Sequence, residues 1–588
     1  MIDRYYEAEL RYLREAGKEF AQAHPERAAA LNLDRFGPPD PYVERLFEGF
    51  AFLAARLHQR LDDDLPELTE GVVGLLWPHY VRTIPSLAIL ELQPKPFVLR
   101  QVQRLPRGLA VRSAPVGPAG VRCQYRSTQP VALAPLRLVS AEGRVSSGGR
   151  SVISLGFEIE PQVAWNQLGL ETLRLYLHAD MPVALALRRH LLDHVGHVVV
   201  RSDDGPARRI ELDGAHRFRA VGFGADERLW PSASTSFAGY ELLQEYFAFR
   251  EKFLFVDLCG LEALGFAAQT TRFTVEAVLD KAFPADLPFD ADNIRLHCTP
   301  IVNLFDLEAE PIRVDFTRDE YRLVPMLREA DHVETYSVDD VLAFDHASGR
   351  RLPYVPFSSF KHRGGLPRGD SPERYFHARP RRSPSGRHEV WLALGGHAGI
   401  DPAQPPAETL SVRMTGTNGL LPRKALRDAG ITELVAGSPD LAGCRNLTAP
   451  TLPQYPPTDD RFHWRLISHL IPSFLSLIDA EVLRSTLALY DWNPLDANRR
   501  RIEGIVDARG RAVHRPCRGA VVAGHAIEVD VLGSHFAGEG DLHLFGGLLS
   551  EFLRLYVPVN SFAELTLVVQ PAGTRLSWRC DFGALSPL

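Results

Sequence analysis

FAGYELLQEYFAFREKFLFVDLCGL, residues 237–261, contains the most closely spaced aromatic residues of the chain. From Tyr240 onward, apolar residues recur three or four positions apart, which predicts a helix, and the run Phe253-Leu254-Phe255-Val256 then takes on strand character. Because both alternating faces of that strand are apolar, it should lie within a sheet that is covered on both sides. The stretch therefore predicts a short helix that leads into a buried strand, a place for packing more than for exposed chemistry.

The length and composition indicate a globular protein of several domains. A chain of 588 residues is expected to form about three or four domains. Hydrophobic residues make up 45% and charged residues 24%, while 44 prolines and 45 glycines favour many turns and short strands. The net charge of -7 gives no overall attraction to nucleic acid or to anionic membranes, so we expect no nucleic-acid partner.

The amino-terminal sequence and the cysteines predict a cytoplasmic protein. The opening MIDRYYEAELRYLREAG carries acidic residues and no apolar core, which is unlike a signal peptide or a lipidation site. No apolar run reaches the roughly 18 residues that a membrane span needs. The six cysteines are scattered without a C-x-x-C pair, so we expect small buried residues, with no disulfide and no zinc site.

Residues 1–85 are predicted to be a helical amino-terminal region. Asp40-Pro41 is typical of a helix start, and a further helix is expected from Pro66 to Trp77. The helix that begins at Pro41 has an apolar stripe, which should be covered by another part of this chain or by another protein. The stripe is formed by Val43, Leu46, Phe50, Leu53, Leu57 and Leu61. We predict that Leu46, Phe50, Leu53 and Leu57 bind a partner chain in a helical bundle.

The middle of the chain is predicted to be rich in β-structure. Residues 86–235 form one expected domain, and residues 236–446 form a mixed central domain that contains the opening signature. Strands are predicted at Leu87–Leu92, Val121–Arg126, Val152–Ile159, Leu173–Leu177 and Val198–Val200. Residues 361–388 contain eight Lys or Arg and two acids, which favours a solvated, mobile loop. A phosphate or nucleic-acid patch is the alternative there.

A proline-rich linker, residues 447–460, is expected to precede an α+β carboxyl-terminal module at residues 461–588. Its strongest helix has an apolar face of Leu542, Phe545, Leu549, Phe552 and Tyr556, and a strand follows at Phe562–Val569. We predict partner contacts at Phe545, Leu549 and Phe552. The linker would allow this module to be held apart from the rest and to act as an arm.

Motifs for catalysis are not found in the sequence. There is no phosphate-binding loop, no G-x-S-x-G nucleophile elbow and no dinucleotide-binding glycine pattern. His190 and His194 have the spacing of a helical metal pair but lack further ligands, and the acids Asp62-Asp63-Asp64 and Glu67 suit a helix start. We therefore predict no enzyme activity, no catalytic residues, no metal and no cofactor.

Several phrases of the chain resemble one family. GYELLQEYFAF followed by KFLFVDL resembles the central signature of TssF, the type VI secretion baseplate family also called VasA or ImpG. DPYVERLFEGFAFLAARLHQRLDDDLPELTEGVVGLLWPHYVRTIPS is similar to the amino terminus of that family. TGTNGLLPRKAL resembles its "TCTN-x-x-LP" phrase, with Gly416 where the family often has Cys. The resemblance extends from Tyr5 to near Val569.

The resemblance implies a structural component of the type VI secretion baseplate wedge with a multidomain α+β fold. It implies two TssF copies with one TssG, association with TssK and TssE, and wedges around a VgrG hub that support sheath and tube assembly and effector delivery. Such a protein would stay cytoplasmic and dock at the inner-membrane complex through other subunits. The alternatives are a wedge protein of a contractile phage tail or extracellular injection system, and a glycan hydrolase carried by such a machine.

Overall fold

The computed structural model describes residues 2–23, 26, 41–117, 119–146, 148–204, 208–214, 216–231, 237–314, 318, 320–346, 349–357, 374–383, 386–395, 408–426, 430–435, 441–457, 466, 478–493, 495–517, 520–557 and 561–578. The chain divides into two compact units. The first comprises residues 1–76 with 458–470, and the second comprises residues 77–457 with 471–588.

Helices dominate the first unit and are interspersed among strands in the second. In chain order they are α1 (Ile2–Ala23), α2 (Pro41–Leu76), α3 (Trp165–Leu168), α4 (Met181–Asp193), α5 (Ala238–Ala248), α6 (Leu421–Ala425), α7 (Ala480–Tyr490), α8 (Asp496–Glu503) and α9 (Glu539–Tyr556). Helix α2 continues through Pro66, so the separate third helix predicted from that residue is wrong. Proline removes one backbone donor and can bend a helix without ending it.

The strands belong to the second unit. In chain order they are β1 (Leu87–Pro94), β2 (Gln103–Leu105), β3 (Ala110–Ser113), β4 (Gln124–Ser127), β5 (Val131–Leu133), β6 (Leu136–Val145), β7 (Ser151–Ile159), β8 (Thr172–Leu177), β9 (Val195–Ser202), β10 (Arg209–Asp213), β11 (Phe218–Ala220), β12 (Phe255–Cys259), β13 (Arg272–Leu279), β14 (Ile294–Arg295), β15 (Cys298–Val302), β16 (Phe305–Glu308), β17 (Ile312–Val314), β18 (Glu320–Arg322), β19 (Glu334–Asp345), β20 (Arg351–Pro356), β21 (Tyr375–Arg382), β22 (His388–Gly395), β23 (Glu408–Thr417), β24 (Ile431–Leu434), β25 (Leu441–Asn446), β26 (Ile505–Cys517), β27 (Ala520–Leu532), β28 (Phe562–Gln570) and β29 (Thr574–Trp578). The five strands predicted from the sequence are present as β1, β4, β7, β8 and β9. The α+β fold class is confirmed.

The sheets join distant parts of the chain. Their strand orders are β24-β3-β4-β15-β1-β25, β10-β9-β13-β7-β6, β11-β12-β8-β14, β16-β23-β19-β20-β21-β22-β18 with β17 on β23, β2-β5, and β26-β27-β28-β29. The first three each combine strands from both sides of the boundary predicted at residue 235. Residues 86–235 and 236–446 therefore share their sheets instead of folding as two separate β-domains.

The opening signature lies in the core, as its pattern predicts. Every residue of α5 from Gly239 to Ala248 is buried, and a short 3-10 turn at Arg250–Leu254 leads into β12. Strand β12 lies between β11 and β8, with its first four residues buried. The predicted helix followed by a covered strand is confirmed.

The TGTN phrase forms a hydrogen-bonded junction between two sheets. Asn303, which follows β15, is fully buried, and its Oδ1 accepts hydrogen bonds from Thr417 Oγ1 at 2.7 Å and from the Asn418 amide at 2.6 Å. Asn303 Nδ2 donates to the Gln124 carbonyl oxygen at 2.6 Å. Since Thr417 ends β23 and Gln124 begins β4, the phrase links the eight-stranded sheet to the six-stranded one.

The carboxyl-terminal module packs closely on the central helix. Helix α9 lies against α5 and α4 on one side and β28 and β29 on the other. A Cβ at Gly540 would lie 2.6 Å from the Leu185 carbonyl oxygen, so only glycine allows α9 to approach α4 this closely. The prediction that the module is held apart as an arm is therefore wrong for this structure.

The basic segment is mostly ordered where the structure describes it. Residues 375–382 and 388–395 are the antiparallel strands β21 and β22, so the predicted mobile loop is wrong for residues 375–382, while residues 361–373 lie outside the described residues. Glu320 accepts from Arg379 and Arg381, both at 2.6 Å. In the described part of the segment, these ion pairs account for Arg379 and Arg381 without a nucleic-acid site.

Candidate partner-binding surface

Helix α2 exposes its large apolar residues. Tyr42 is 83% exposed, Leu46 62%, Phe50 60% and Leu53 59%. These four positions are three or four residues apart and form one stripe along a helix that is about 54 Å long at 1.5 Å per residue. Contiguous exposed apolar surface of this kind is typical of a protein-protein contact. We name these four residues the α2 stripe.

The opposite face of α2 is lined by small residues. Ala51 and Ala55 are fully buried, and α1 packs against α2 within the first unit. Arg14 on α1 donates from Nε to the Glu44 carboxylate on α2 at 2.8 Å. Because the inward side uses alanines and an ion pair, packing with α1 leaves the large side chains on the outside.

The predicted partner-binding residues have different environments. Leu46, Phe50 and Leu53 lie together in the α2 stripe, whereas the side chain of Leu57 falls outside the described residues. Tyr42, the most exposed member, was missed. Its position four residues before Leu46 was the available signal.

Phe545, Leu549 and Phe552 are core residues and do not face a partner. All three are 0% exposed. Phe545 packs at a ring distance of 5.3 Å from Phe536, and Phe552 at 5.9 Å from Tyr240 of the opening signature. We correct the prediction of partner contact at these positions, because α9 covers its apolar face with its own chain.

A buried charge network ties α9 to the opening signature. Asp541, in the first turn of α9, is 0% exposed and pairs with Arg250 and with Arg501, whose Nε lies 2.9 Å from Asp541 Oδ2. The backbone amide of Ala537 donates to the same carboxylate at 3.0 Å. Asn498 donates from Nδ2 to the Phe247 carbonyl oxygen at 3.2 Å. These bonds join the end of α5, helix α8 and the start of α9.

Further buried charges of the signature are paired within it or close by. Glu245 pairs with Lys252 and accepts from the Leu229 amide at 2.6 Å. Glu241 pairs with Arg228 and faces His79. Burial, with the charges of nearby arginines, lowers the pKa of His79 to about 3, so this histidine is neutral at physiological pH. Removing one partner of such a buried pair would leave an uncompensated charge in the core, which is strongly destabilising.

The first histidine of the candidate metal pair has structural partners. Both ring nitrogens of His190 lie near backbone oxygens, Nδ1 2.8 Å from Ala186 and Nε2 3.2 Å from Ala282. Within the described parts of the chain, no group of three His, Cys, Asp or Glu residues could hold a metal ion.

The cysteines that the structure describes are free thiols. Cys123, Cys298 and Cys444 are buried, and Cys259 is half-buried. Burial raises the pKa of Cys123 and of Cys444 to about 11, which keeps these thiols protonated and unreactive. The expected role as small buried residues is confirmed for these three, while Cys517 and Cys580 lie outside the described side chains.

Among the described residues, no helix combines the length and apolar character that crossing a bilayer requires. The described geometry is dominated by packed sheets, internally paired charges and one exposed apolar stripe. The exposed apolar stripe is typical of a protein that packs against another protein.

Similarity to known proteins identifies the family of this chain. The sequence profile described as "Type VI secretion system, TssF" matches residues 1–584. The type VI secretion system component TssF1 of Pseudomonas aeruginosa is 30% identical over 627 aligned positions, which cover 99% of this chain and 98% of that protein. The chain belongs to the TssF family, whose members are components of the type VI secretion baseplate.

Solved structures agree in fold. A chain of the type VI secretion TssK-TssF-TssG baseplate subcomplex, determined by cryo-electron microscopy, is 44% identical with a TM-score of 0.81, covering 92% of this chain and 98% of that one. A chain of the type VI secretion baseplate complex is 39% identical with a TM-score of 0.65 and full coverage of both chains.

Proposed function

We propose that this protein is a non-enzymatic wedge subunit that binds a TssG protein through the α2 stripe and assembles with TssK. The observation that carries the proposal is the stripe itself, four large apolar side chains that are each more than half exposed. Their burial in a helical bundle would remove apolar surface from water at about 25 cal/mol per Å². The likeness to a chain from a TssK-TssF-TssG subcomplex supports these partners.

We infer the finer assembly from the resemblance to the TssF family. Two copies of this chain would bind one TssG, and the wedge would associate with TssE and surround a VgrG hub. Two copies beside one different partner occupy unequal environments, so the α2 stripes of the two copies would meet different surfaces of the bundle. The complex would lie at the cytoplasmic face of the inner membrane and be held there through other subunits.

Co-expression with the TssG and TssK proteins of the same organism tests this proposal. The purified wild-type complex should have a native mass that corresponds to two copies of this chain for each TssG. The double variant Leu46→Asp, Leu53→Asp should lose TssG recovery by more than about tenfold, because two buried carboxylates would oppose packing. The isolated variant should keep the wild-type far-UV circular dichroism, since both residues are exposed.

Val145→Asp is the matched control, because Val145 is 72% exposed on β6, away from α2 in sequence. It should recover TssG like the wild type. Equal recovery by the α2 double variant would refute the stripe as the binding surface. Loss of its helical signal would show instead that the stripe is internal core.

A further inference from the structure

A cavity of about 560 Å³ lies where three sheets of the second unit meet. Its walls come from the end of β1, the start of β6, the end of β7 and strand β14, which belong to three different sheets. Aliphatic side chains such as Leu138, Ile294 and Leu296 line it. Binding pockets in proteins usually have volumes of about 300–1,000 Å³, so this cavity has room for a large side chain.

An exposed aromatic residue stands at the rim of this cavity. Phe97, in the turn that follows β1, lines the cavity and is 57% exposed. Its neighbours Pro96 and Val98 are exposed as well. Three consecutive exposed apolar residues are unusual on a globular protein unless they serve a contact. The surface therefore carries an apolar knob, Phe97, directly beside a hole.

The backbone around the cavity is held in an unfavourable conformation. Among the described residues, three that are not glycine have a positive φ, and two of them, Phe97 at 64° and His297 at 57°, line the cavity. The Phe97 amide donates to Glu160 Oε2 at 2.8 Å, and the Ala134 amide donates to His297 Nε2 at 3.1 Å. Such strain persists only where the surroundings enforce it, and it is frequent at sites of recognition. The knob is therefore fixed in position by its neighbours.

The charges around the cavity suit an identical surface. The charged residues that line it are three arginines and three glutamates, namely Arg137, Arg295, Arg445, Glu91, Glu158 and Glu160. Arg137 pairs with Glu158, and Arg445 Nε lies 2.5 Å from Glu91 Oε2. Because opposite charges are equal in number, the surface does not select a strongly charged partner and does not repel a second copy of itself.

We propose that the cavity receives Phe97 of a second copy of this chain, in a two-fold contact in which the knob of each copy fills the hole of the other. A knob and a hole side by side on one surface are self-complementary under a two-fold rotation, which is the commonest symmetry of protein dimers. The inference goes beyond the proposed function, because this contact requires only the present chain and does not involve the α2 stripe.

Sedimentation equilibrium of the isolated full chain tests the contact. The Leu46→Asp, Leu53→Asp variant serves as the background, so that the α2 stripe cannot itself join two copies, and we expect it to dimerise. Phe97→Asn removes both knobs and should weaken the dimer by about a hundredfold, since burial of each phenyl ring contributes about tenfold. Asparagine tolerates a positive φ, so this variant should fold normally. Leu138→Trp fills the hole and should weaken the dimer to a similar extent.

Mixing the two variants distinguishes a mutual exchange from any other contact. One chain then has an open cavity but no knob, and the other has a knob but a filled cavity, so one of the two contacts can form. The mixture should dimerise about tenfold more tightly than either variant alone. Phe357→Asn is the matched control, because Phe357 is 65% exposed next to β20 of another sheet, and it should leave the dimer unchanged.

A photo-crosslink locates the contact. In the same background, p-benzoylphenylalanine in place of Val98, next to the knob, should give an adduct between two copies that mass spectrometry maps to residues lining the cavity. A chain that stays monomeric at its highest soluble concentration, a dimer that Phe97→Asn leaves intact, or an adduct mapped elsewhere overturns the proposal.

The complex co-expressed with TssG and TssK separates this proposal from the proposed function. An adduct from position 98 to TssG or TssK, without one to a second copy, would assign the cavity to that subunit and overturn the two-fold contact. Phe97→Asn alone should recover TssG like the wild type. Failure of the α2 double variant to lose TssG would therefore refute the proposed function and leave the two-fold contact standing.

Discussion

Helices α2 and α9 both carry large apolar residues three or four positions apart, but the stripe is exposed on α2 and buried on α9. Leu46 and Phe50 are 62% and 60% exposed, whereas Phe545 and Phe552 are 0% exposed. Identical spacing therefore has opposite outcomes in one chain. The spacing indicates that a face is apolar, and it does not indicate whether the same chain or another one covers that face.

The number of neighbours explains the difference. Helix α9 packs against α4, α5, β28 and β29, so little of its circumference is left open. Among the described residues of the first unit, α1 is the helix that packs on α2. Of the α2 residues that the structure describes, Ala51 and Ala55 are buried on the face opposite the α2 stripe.

Removing one phenyl ring from α9 and one from the α2 stripe should give the largest difference in stability. Phe552→Ala would leave a cavity in the core and should lower the free energy of unfolding by about 4 kcal/mol. Phe50→Ala removes the same group from an exposed site and should change it by less than about 0.5 kcal/mol. Urea denaturation of both isolated variants, followed by far-UV circular dichroism, measures the two effects. Equal losses would show that the α2 stripe is covered within its own chain.

Removing a buried charge of the second unit should lower the stability more than removing a charge from the partly exposed ion pair of the first unit. Asp541→Asn leaves Arg250 and Arg501 without their carboxylate and should cost about 3 kcal/mol. Glu44→Gln, which weakens the pair with the half-exposed Arg14, should cost under about 1 kcal/mol. Denaturation midpoints of the two variants are the measurement. A small effect of Asp541→Asn would mean that water reaches this network and relieves the unpaired arginines.

The smallest effect should be a gain in stability at Asp491, beside the same network. Burial raises the pKa of its carboxyl to about 6. A raised carboxyl pKa means that the ionised form disfavours folding, so the native state loses stability as the pH rises from about 4 to about 6. A rise of about two in the pKa represents roughly 3 kcal/mol, and solvent screening reduces this because the Asp491 side chain is partly exposed. Asp491→Asn should therefore raise the stability by about 1 kcal/mol at pH 8 and lose that advantage below about pH 4.

Thermal unfolding across this pH range tests the sign. Asp496→Asn is the control, because that carboxyl is 75% exposed and its removal should give no comparable gain. A destabilised Asp491→Asn variant at pH 8 would show that the carboxylate's bond from Asn498, at 3.0 Å, outweighs its burial.

Local patterns predicted local structure well. The alternating apolar residues around Val152–Ile159 form strand β7, and the apolar residues three or four positions apart in the opening signature form helix α5. Such periods can be read from the sequence because they involve only residues that are close together in the chain. Composition was a poorer guide in the basic segment. Residues 375–382 were expected to be a loop, but Glu320, more than fifty residues earlier in the chain, neutralises two of the arginines and permits a strand.

Partner residues were predictable only in part. The sequence singled out Leu46, Phe50 and Leu53, which are exposed together, and also Phe545 and Phe552, which are buried. Nothing local separates the two sets. Phe552, for example, packs against Tyr240, which lies about three hundred residues earlier in the chain and whose ring is 5.9 Å from that of Phe552.

The sequence by itself determined the α+β class, the buried helix and strand of the opening signature, the apolar stripes and the resemblance to the TssF family, because these follow from residue order over short spans. Only the tertiary structure decided that strands from both sides of residue 235 share three sheets, that α9 lies in the core, and that the α2 stripe is exposed. The physical reason is that burial is a property of contacts between distant segments, and short-range periodicity carries no information on which segments meet.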